Sequence, residues 1–177
     1  GVEFLWFNGI VVVASSGNRS TTDAAHAVMM APANDPYIIT VGATDEGGTG
    51  ARADDSLAPY TAYGHTVDGY LKPEIAAPGS RIYSVLSGQS RWNKTYPDRV
   101  SPSGEYFRLS GTSMAAPMVA GAAALLLAAE PALTPDQVKF RLLHTGSSLP
   151  VLLDGVPQFE LPYLDLYASL TAPTTEA

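Results

Sequence analysis

Three observations predict an α/β fold with a mostly parallel sheet. The strand candidates Ile10–Ala14 (IVVVA), Tyr37–Val41 (YIITV) and Glu74–Ala77 (EIAA) are continuous rather than alternating in their apolar content. Such runs suit strands buried on both faces, as in parallel sheets. Two strong helix patterns, at Thr112–Ala129 and from Thr134 onward, lie in the same chain as these runs. Turn-rich loops separate the elements, which is the order of a layered α/β domain.

Composition agrees and narrows the function. The 177 residues are 46% apolar, enough for a core, and the 16 Gly and 14 Pro mark frequent turns. That balance argues against disorder, collagen and coiled coil. The 17 acids against 10 bases give a net charge of −7, which disfavours nucleic acid or an anionic membrane as the main partner. There is no cysteine, so disulfides, thiolate metal sites and a cysteine nucleophile are excluded. Residue 1 is Gly, and no charged-then-apolar leader follows it. The expectation is that the chain begins inside a larger structure.

The elements follow in order. Residues 1–8 (GVEFLWFN) read as the end of an amphipathic helix stopped by Gly9. Ile10–Ala14 is the first strand, broken by Ser15-Ser16-Gly17-Asn18. Residues 19–36 are small, polar and Pro-punctuated, so they read as a loop before the Tyr37–Val41 strand. Residues 44–73 hold many Gly, Asp and Thr and read as a long surface segment with short strands at most. Glu74–Ala77 is a short buried strand closed by Pro78-Gly79, and Ile82–Leu86 is a further strand candidate. Residues 87–109 are polar and aromatic and read as an excursion or long hairpin.

Thr112–Ala129 is a small-residue helix. Its apolar stretch from Met114 is shorter than the roughly 20 residues of a membrane span, and Pro117 and Gly121 interrupt it. A helix buried in a core is the better reading. Thr134-Pro135-Asp136-Gln137 starts the next helix, with Thr as cap, Pro at the first helical position and Gln completing a capping box. A short helix near Leu164–Leu170 ends the domain, and residues 171–177 (TAPTTEA) read as a tail.

Two segments carry chemistry. Ser113 lies in Gly111-Thr112-Ser113-Met114-Ala115-Ala116-Pro117, at the first turn of its helix. Free N–H groups and the helix dipole there stabilise a neighbouring oxyanion. The plainer reading is that Thr112 or Ser113 simply caps the helix. Asn18 follows the first strand directly, at the carboxyl end where α/β sheets place their sites. Its amide offers a second oxyanion donor; alternatively it is a turn residue.

Together these segments resemble the subtilisin-like serine proteases. Gly111–Gly121 (GTSMAAPMVAG) is similar to that family's serine motif, and Gly9–Asn18 (GIVVVASSGN) to the strand and turn bearing its oxyanion asparagine. Lys72–Gly79 (KPEIAAPG) and Tyr37–Asp45 (YIITVGATD) resemble two further landmarks, and all four occur in family order. The resemblance implies a three-layer subtilisin-like fold of which residues 1–170 are the C-terminal portion. It implies Ser113 as nucleophile, with the Asn18 side chain and the Ser113 N–H holding the oxyanion. Ser15, Ser16 and Gly17 would wall the primary specificity pocket, with Met30 and Ala31 near its floor. No cofactor is required, but a weak structural Ca²⁺ or Na⁺ site is implied at the carbonyls of Ala33, Asp35 and Ile38 with the Glu74 carboxylate. Substrates would be peptides or proteins, and family membership suggests secretion. Met118 stands where members commonly have His, and residues 87–109 look longer than the loop of compact members.

A serine nucleophile also needs a base and a group to orient that base. In the family order both precede the asparagine strand. Only eight residues of helix precede it here, so a missing N-terminal segment of the same domain is the expected partner. Of the three histidines, His26 and His65 lie in loops. Ser113, Asp136 and His144 follow α/β-hydrolase order nominally, but Ala115 breaks that fold's G-x-S-x-G pattern. The alternative function is a non-catalytic, protease-like binding module.

Overall fold

The computed structural model describes residues 1–18, 30–153 and 156–173. In chain order the elements are α1 (Val2–Phe7), β1 (Val13–Ser15), β2 (Ile39–Asp45), β3 (Ser56–Leu57), β4 (Gly64–His65), β5 (Leu71–Lys72), β6 (Ile75–Pro78) and β7 (Ile82–Val85). They continue with α2 (Trp92–Thr95), β8 (Tyr106–Leu109), α3 (Thr112–Ala129), α4 (Pro135–Thr145), β9 (Ser147–Leu153), β10 (Val156–Tyr163) and α5 (Leu166–Thr171).

The main sheet runs β1-β2-β6-β10-β9, with β3 joined to β2. The pairs β1·β2, β2·β6 and β6·β10 are parallel, while β9 and β3 run antiparallel to their neighbours. The register places Val13 beside Ile39, and Val41 beside Ile75. β2 is the centre: its residues Ile39 to Thr44 are all buried. A strand covered on both faces needs apolar or small residues at every position, which explains the unbroken run in the sequence. β1 is shorter than the Ile10–Ala14 run, because Ile10 is exposed and only Val12 onward bonds to β2.

Three expectations need correction. Residues 44–73 are not a surface segment throughout, since Ala58, Thr61, Ala62 and Tyr63 are buried against the sheet. α3 is not buried all round. Ala115, Val119, Ala122, Ala123 and Leu126 form its core stripe, while Met118 and Leu125 are exposed. The antiparallel β9–β10 hairpin was not anticipated from sequence. Residues 82–109 do form a hairpin, with β7 and β8 paired from Ile82·Leu109 to Val85·Tyr106. Its tip folds back so that Trp92 meets Phe107 edge-on at 5.4 Å.

The helices are fixed at their ends. Thr134 accepts from Gln137 N–H (3.2 Å) and Gln137 accepts from Thr134 N–H (3.0 Å), so the capping box is complete. Asp136 accepts the indole N–H of Trp6 at 2.9 Å, which docks α1 on the start of α4. The N-terminus of α3 is set by its entry: Gly111 N–H donates to Gly79 C=O (2.9 Å), just past β6.

Candidate active site

β1 and α3 meet at their functional ends. After Ser15 the chain turns sharply at Gly17, whose φ of +100° is accessible to glycine at little strain. Gly17 C=O then accepts from Ala62 N–H at 2.9 Å. This turn delivers Asn18 to the first residues of α3. Asn18 Oδ1 accepts two hydrogen bonds from Thr112, one from the backbone N–H (3.0 Å) and one from the hydroxyl (3.1 Å). The same hydroxyl accepts from Gly17 N–H at 3.2 Å.

These bonds decide which way the amide faces. A backbone N–H can only donate, so the atom facing Thr112 is the oxygen. Nδ2 and its two hydrogens therefore point elsewhere, and Asn18 is exposed. A methyl group built on Gly111 would sit 3.4 Å from Nδ2, so glycine keeps that approach open. Ser113 is the second residue of α3 and is exposed. At that position its N–H has no partner within the helix. One exposed hydroxyl thus follows directly on Thr112, the residue that holds the Asn18 amide.

Other predicted residues divide. Ser16 is buried and its N–H donates to Val41 C=O at 2.9 Å, which ties the end of β1 to β2. Met30 and Ala31 are exposed on the next turn. Among the described residues, neither bonds to Ser15–Gly17.

No base reaches Ser113 among the described residues. His144 Nδ1 is bonded to Phe140 C=O (2.9 Å) and its ring stacks on Phe140 at 3.8 Å. Asp136 is held by Trp6, as described. The nominal Ser113-Asp136-His144 triad is therefore not assembled. His65 is exposed on β4, beside a 430 Å³ pocket lined by Tyr63, Leu71 and Phe159. His26 lies outside the described residues.

The implied cation site is differently built. Ala33 C=O accepts from the Thr40 hydroxyl (2.8 Å), and Asp35 Oδ1 accepts from Tyr37 and Ile38 N–H (3.0 and 3.4 Å). Glu74 lies between two lysines, Lys72 at 3.0 Å and Lys139 at 2.6 Å. Both lysines also donate to Ile38 C=O, at 3.3 and 3.2 Å. An added divalent ion would meet two ammonium groups here, so these residues do not fit one.

Sequence reasoning missed Thr112 as the residue that orients Asn18, although it lies inside the serine motif. It also missed Lys72 and Lys139, for which no local signal exists.

Comparison with known proteins agrees with the geometry. The subtilase family matches residues 7–160. Serine protease AprX of Bacillus subtilis is 42% identical over 150 residues, covering 82% of this chain and 32% of that protein. Thermitase of Thermoactinomyces vulgaris is 38% identical over 125 residues, covering 71% and 33%. Among solved structures, fervidolysin of Fervidobacterium pennivorans, a keratinolytic enzyme related to subtilisin, superposes with a TM-score of 0.71 at 28% identity. That match covers 98% of this chain and 24% of fervidolysin. The chain thus spans about a third of the curated relatives it matches. With a helix-borne serine, a fixed asparagine amide and a mostly parallel sheet inside the matched residues, this chain belongs to the subtilase family.

Proposed function

We propose that these residues carry the nucleophile and oxyanion hole of a serine endopeptidase acting on peptides or proteins. Ser113 Oγ attacks the scissile carbonyl while a base takes its proton. The carbonyl oxygen becomes an oxyanion and receives hydrogen bonds from Asn18 Nδ2 and Ser113 N–H. Collapse expels the amine, protonated by the same base, and leaves an acyl group on Ser113. Water then hydrolyses the ester. The Ser15–Gly17 wall flanks the residue on the acyl side. The enzyme works outside the cell, as its relationship to secreted subtilisins suggests.

The observation that carries this reading is the pair of Thr112 bonds to Asn18 Oδ1. A turn asparagine needs no such fixation; an oxyanion donor does. The base and its orienting carboxylate come from chain outside these 177 residues. A groove of about 320 Å³ between Gly9–Val13 and the α3 residues Ala120–Leu127 supports a covering segment there. Treating the full-length protein with a fluorophosphonate probe tests the proposal. Labelling at Ser113, absent in Ser113→Ala, is the expected result; a folded full-length protein that resists labelling overturns it.

The absence of a base among the described residues favours a second reading, a protease-like binding module. That reading predicts substrate-like peptide binding by the full-length protein without turnover.

A further inference from the structure

Three successive carbonyl oxygens, those of Pro36, Tyr37 and Ile38, turn toward one point where β2 begins. Lys139 Nζ, from α4, occupies that point. It donates to Pro36 C=O (3.0 Å), Tyr37 C=O (2.8 Å) and Ile38 C=O (3.2 Å), and it meets Glu74 Oε1 at 2.6 Å. The second carboxylate oxygen, Oε2, accepts from Lys72 Nζ (3.0 Å) and Thr40 N–H (3.2 Å).

A ring of neutral carbonyls closed by one carboxylate is an all-oxygen donor set, the kind that holds hard cations. Here the cation is covalently attached to the protein. We infer that Lys139 is a built-in cation, its ammonium filling a monovalent-cation site and pinning α4 to the entry of β2 without any dissolved ion. The charge count sets the class. Lys72 is 1% exposed and stays beside Glu74 when Lys139 is removed. The carboxylate is then already balanced, so the vacated ring suits a singly charged ion such as K⁺ or NH₄⁺ rather than Ca²⁺. The Lys139 side chain is 16% exposed, so an ion can enter from solvent.

The site has its own optical reporter. Lys139 Nζ lies 5.9 Å from the centre of the Trp6 ring, so an ion in its place lies near that indole. The heavy thallous ion, of nearly the size and charge of K⁺, quenches tryptophan emission at such range.

The test uses the full-length protein with Lys139→Ala or Lys139→Gln. Thermal unfolding is followed in KCl, NH₄Cl and tetramethylammonium chloride at equal ionic strength. The parent should show the same Tm in all three salts. Lys139→Ala should unfold earlier in tetramethylammonium and recover most of the loss in K⁺ or NH₄⁺. Thallous acetate should quench it saturably and more than the parent, an excess that Trp6→Phe removes. Variants that respond to the three salts as the parent does overturn the inference. If Lys139→Ala does not fold, Lys139→Gln carries the same comparison, and failure of both in every salt also overturns it. Folding only in K⁺ or NH₄⁺ supports it.

Discussion

Thr112 does two jobs with one hydroxyl. It accepts from Gly17 N–H and donates to Asn18 Oδ1, so the Asn18 amide and the strand end that bears it are set together. In the full-length enzyme, Asn18→Ala should lower kcat by roughly 10²–10³ with little change in KM, as expected for a donor used mainly in the transition state. Thr112→Val keeps the shape but removes the hydroxyl. Two hydrogen bonds of about 1 kcal/mol each then go, but the Thr112 N–H still holds Asn18 Oδ1, so steady-state kinetics should show a smaller kcat loss, on the order of tenfold or less. Tyr163 makes a different prediction. Burial pushes its phenol up to about 12, from an ordinary value of 10.0, and its hydroxyl lies 3.4 Å from that of Thr44. The unfolded chain therefore loses this proton first as pH rises. The resulting stability is intact below about pH 10 and is lost as pH climbs from 10 through 12. Tyr163→Phe should give a shallower alkaline decline of Tm; an unchanged decline would refute this. The meeting of Asn18 with the first turn of the Ser113 helix was legible in sequence, because a long motif and a strand end carry the two. The lysine pair was not, because a lysine normally reads as solvent-facing. Its burial depends on segments 34 and about 100 residues apart converging on the same carbonyl, Ile38 C=O.

At the scale of elements, local rules held where local bonds dominate. The capping box before α4 was readable from Thr134-Pro135-Asp136-Gln137, and the structure forms both bonds. Thr134→Ala should destabilise the full-length protein by about 1 kcal/mol, measured by urea unfolding, with activity at permissive temperature unchanged. The β9–β10 hairpin escaped notice because Pro150, Pro157 and Pro162 argue against strands. Two facts reconcile them. Pro150 lies on the sheet's edge strand, and β10 meets β6 only at Tyr163·Ala76, so its outer N–H positions are not needed along most of its length. The Asp154-Gly155 pair between two apolar runs was the available signal. β1 and α3 differ from expectation for a shared reason. Sequence patterns report what a segment buries in its finished surroundings, and both elements carry more apolar surface than these residues cover.

For the whole molecule that surplus has a direct consequence. Ile10, Met118 and Leu125 are exposed, and β1 is the outermost strand of the main sheet. An open parallel edge beside an apolar helix face invites association with other chains. The 177-residue chain alone should bind anilinonaphthalene sulfonate strongly and aggregate at micromolar concentration. Adding the remainder of the domain should suppress both; a soluble isolated chain with a sharp, reversible thermal transition would contradict the expectation.

The lock between Asn18 and Thr112 also bears on timing. Its two halves are separated by 94 residues of chain. A ribosome that has released Asn18 must still make β2, β3 and β6 of the same sheet before Thr112 exists to orient it. The Asn18 amide and Ser113 therefore come into register only when β1 and α3 have docked. On the proposed reading, a nascent chain cannot hydrolyse its neighbours until that docking has taken place.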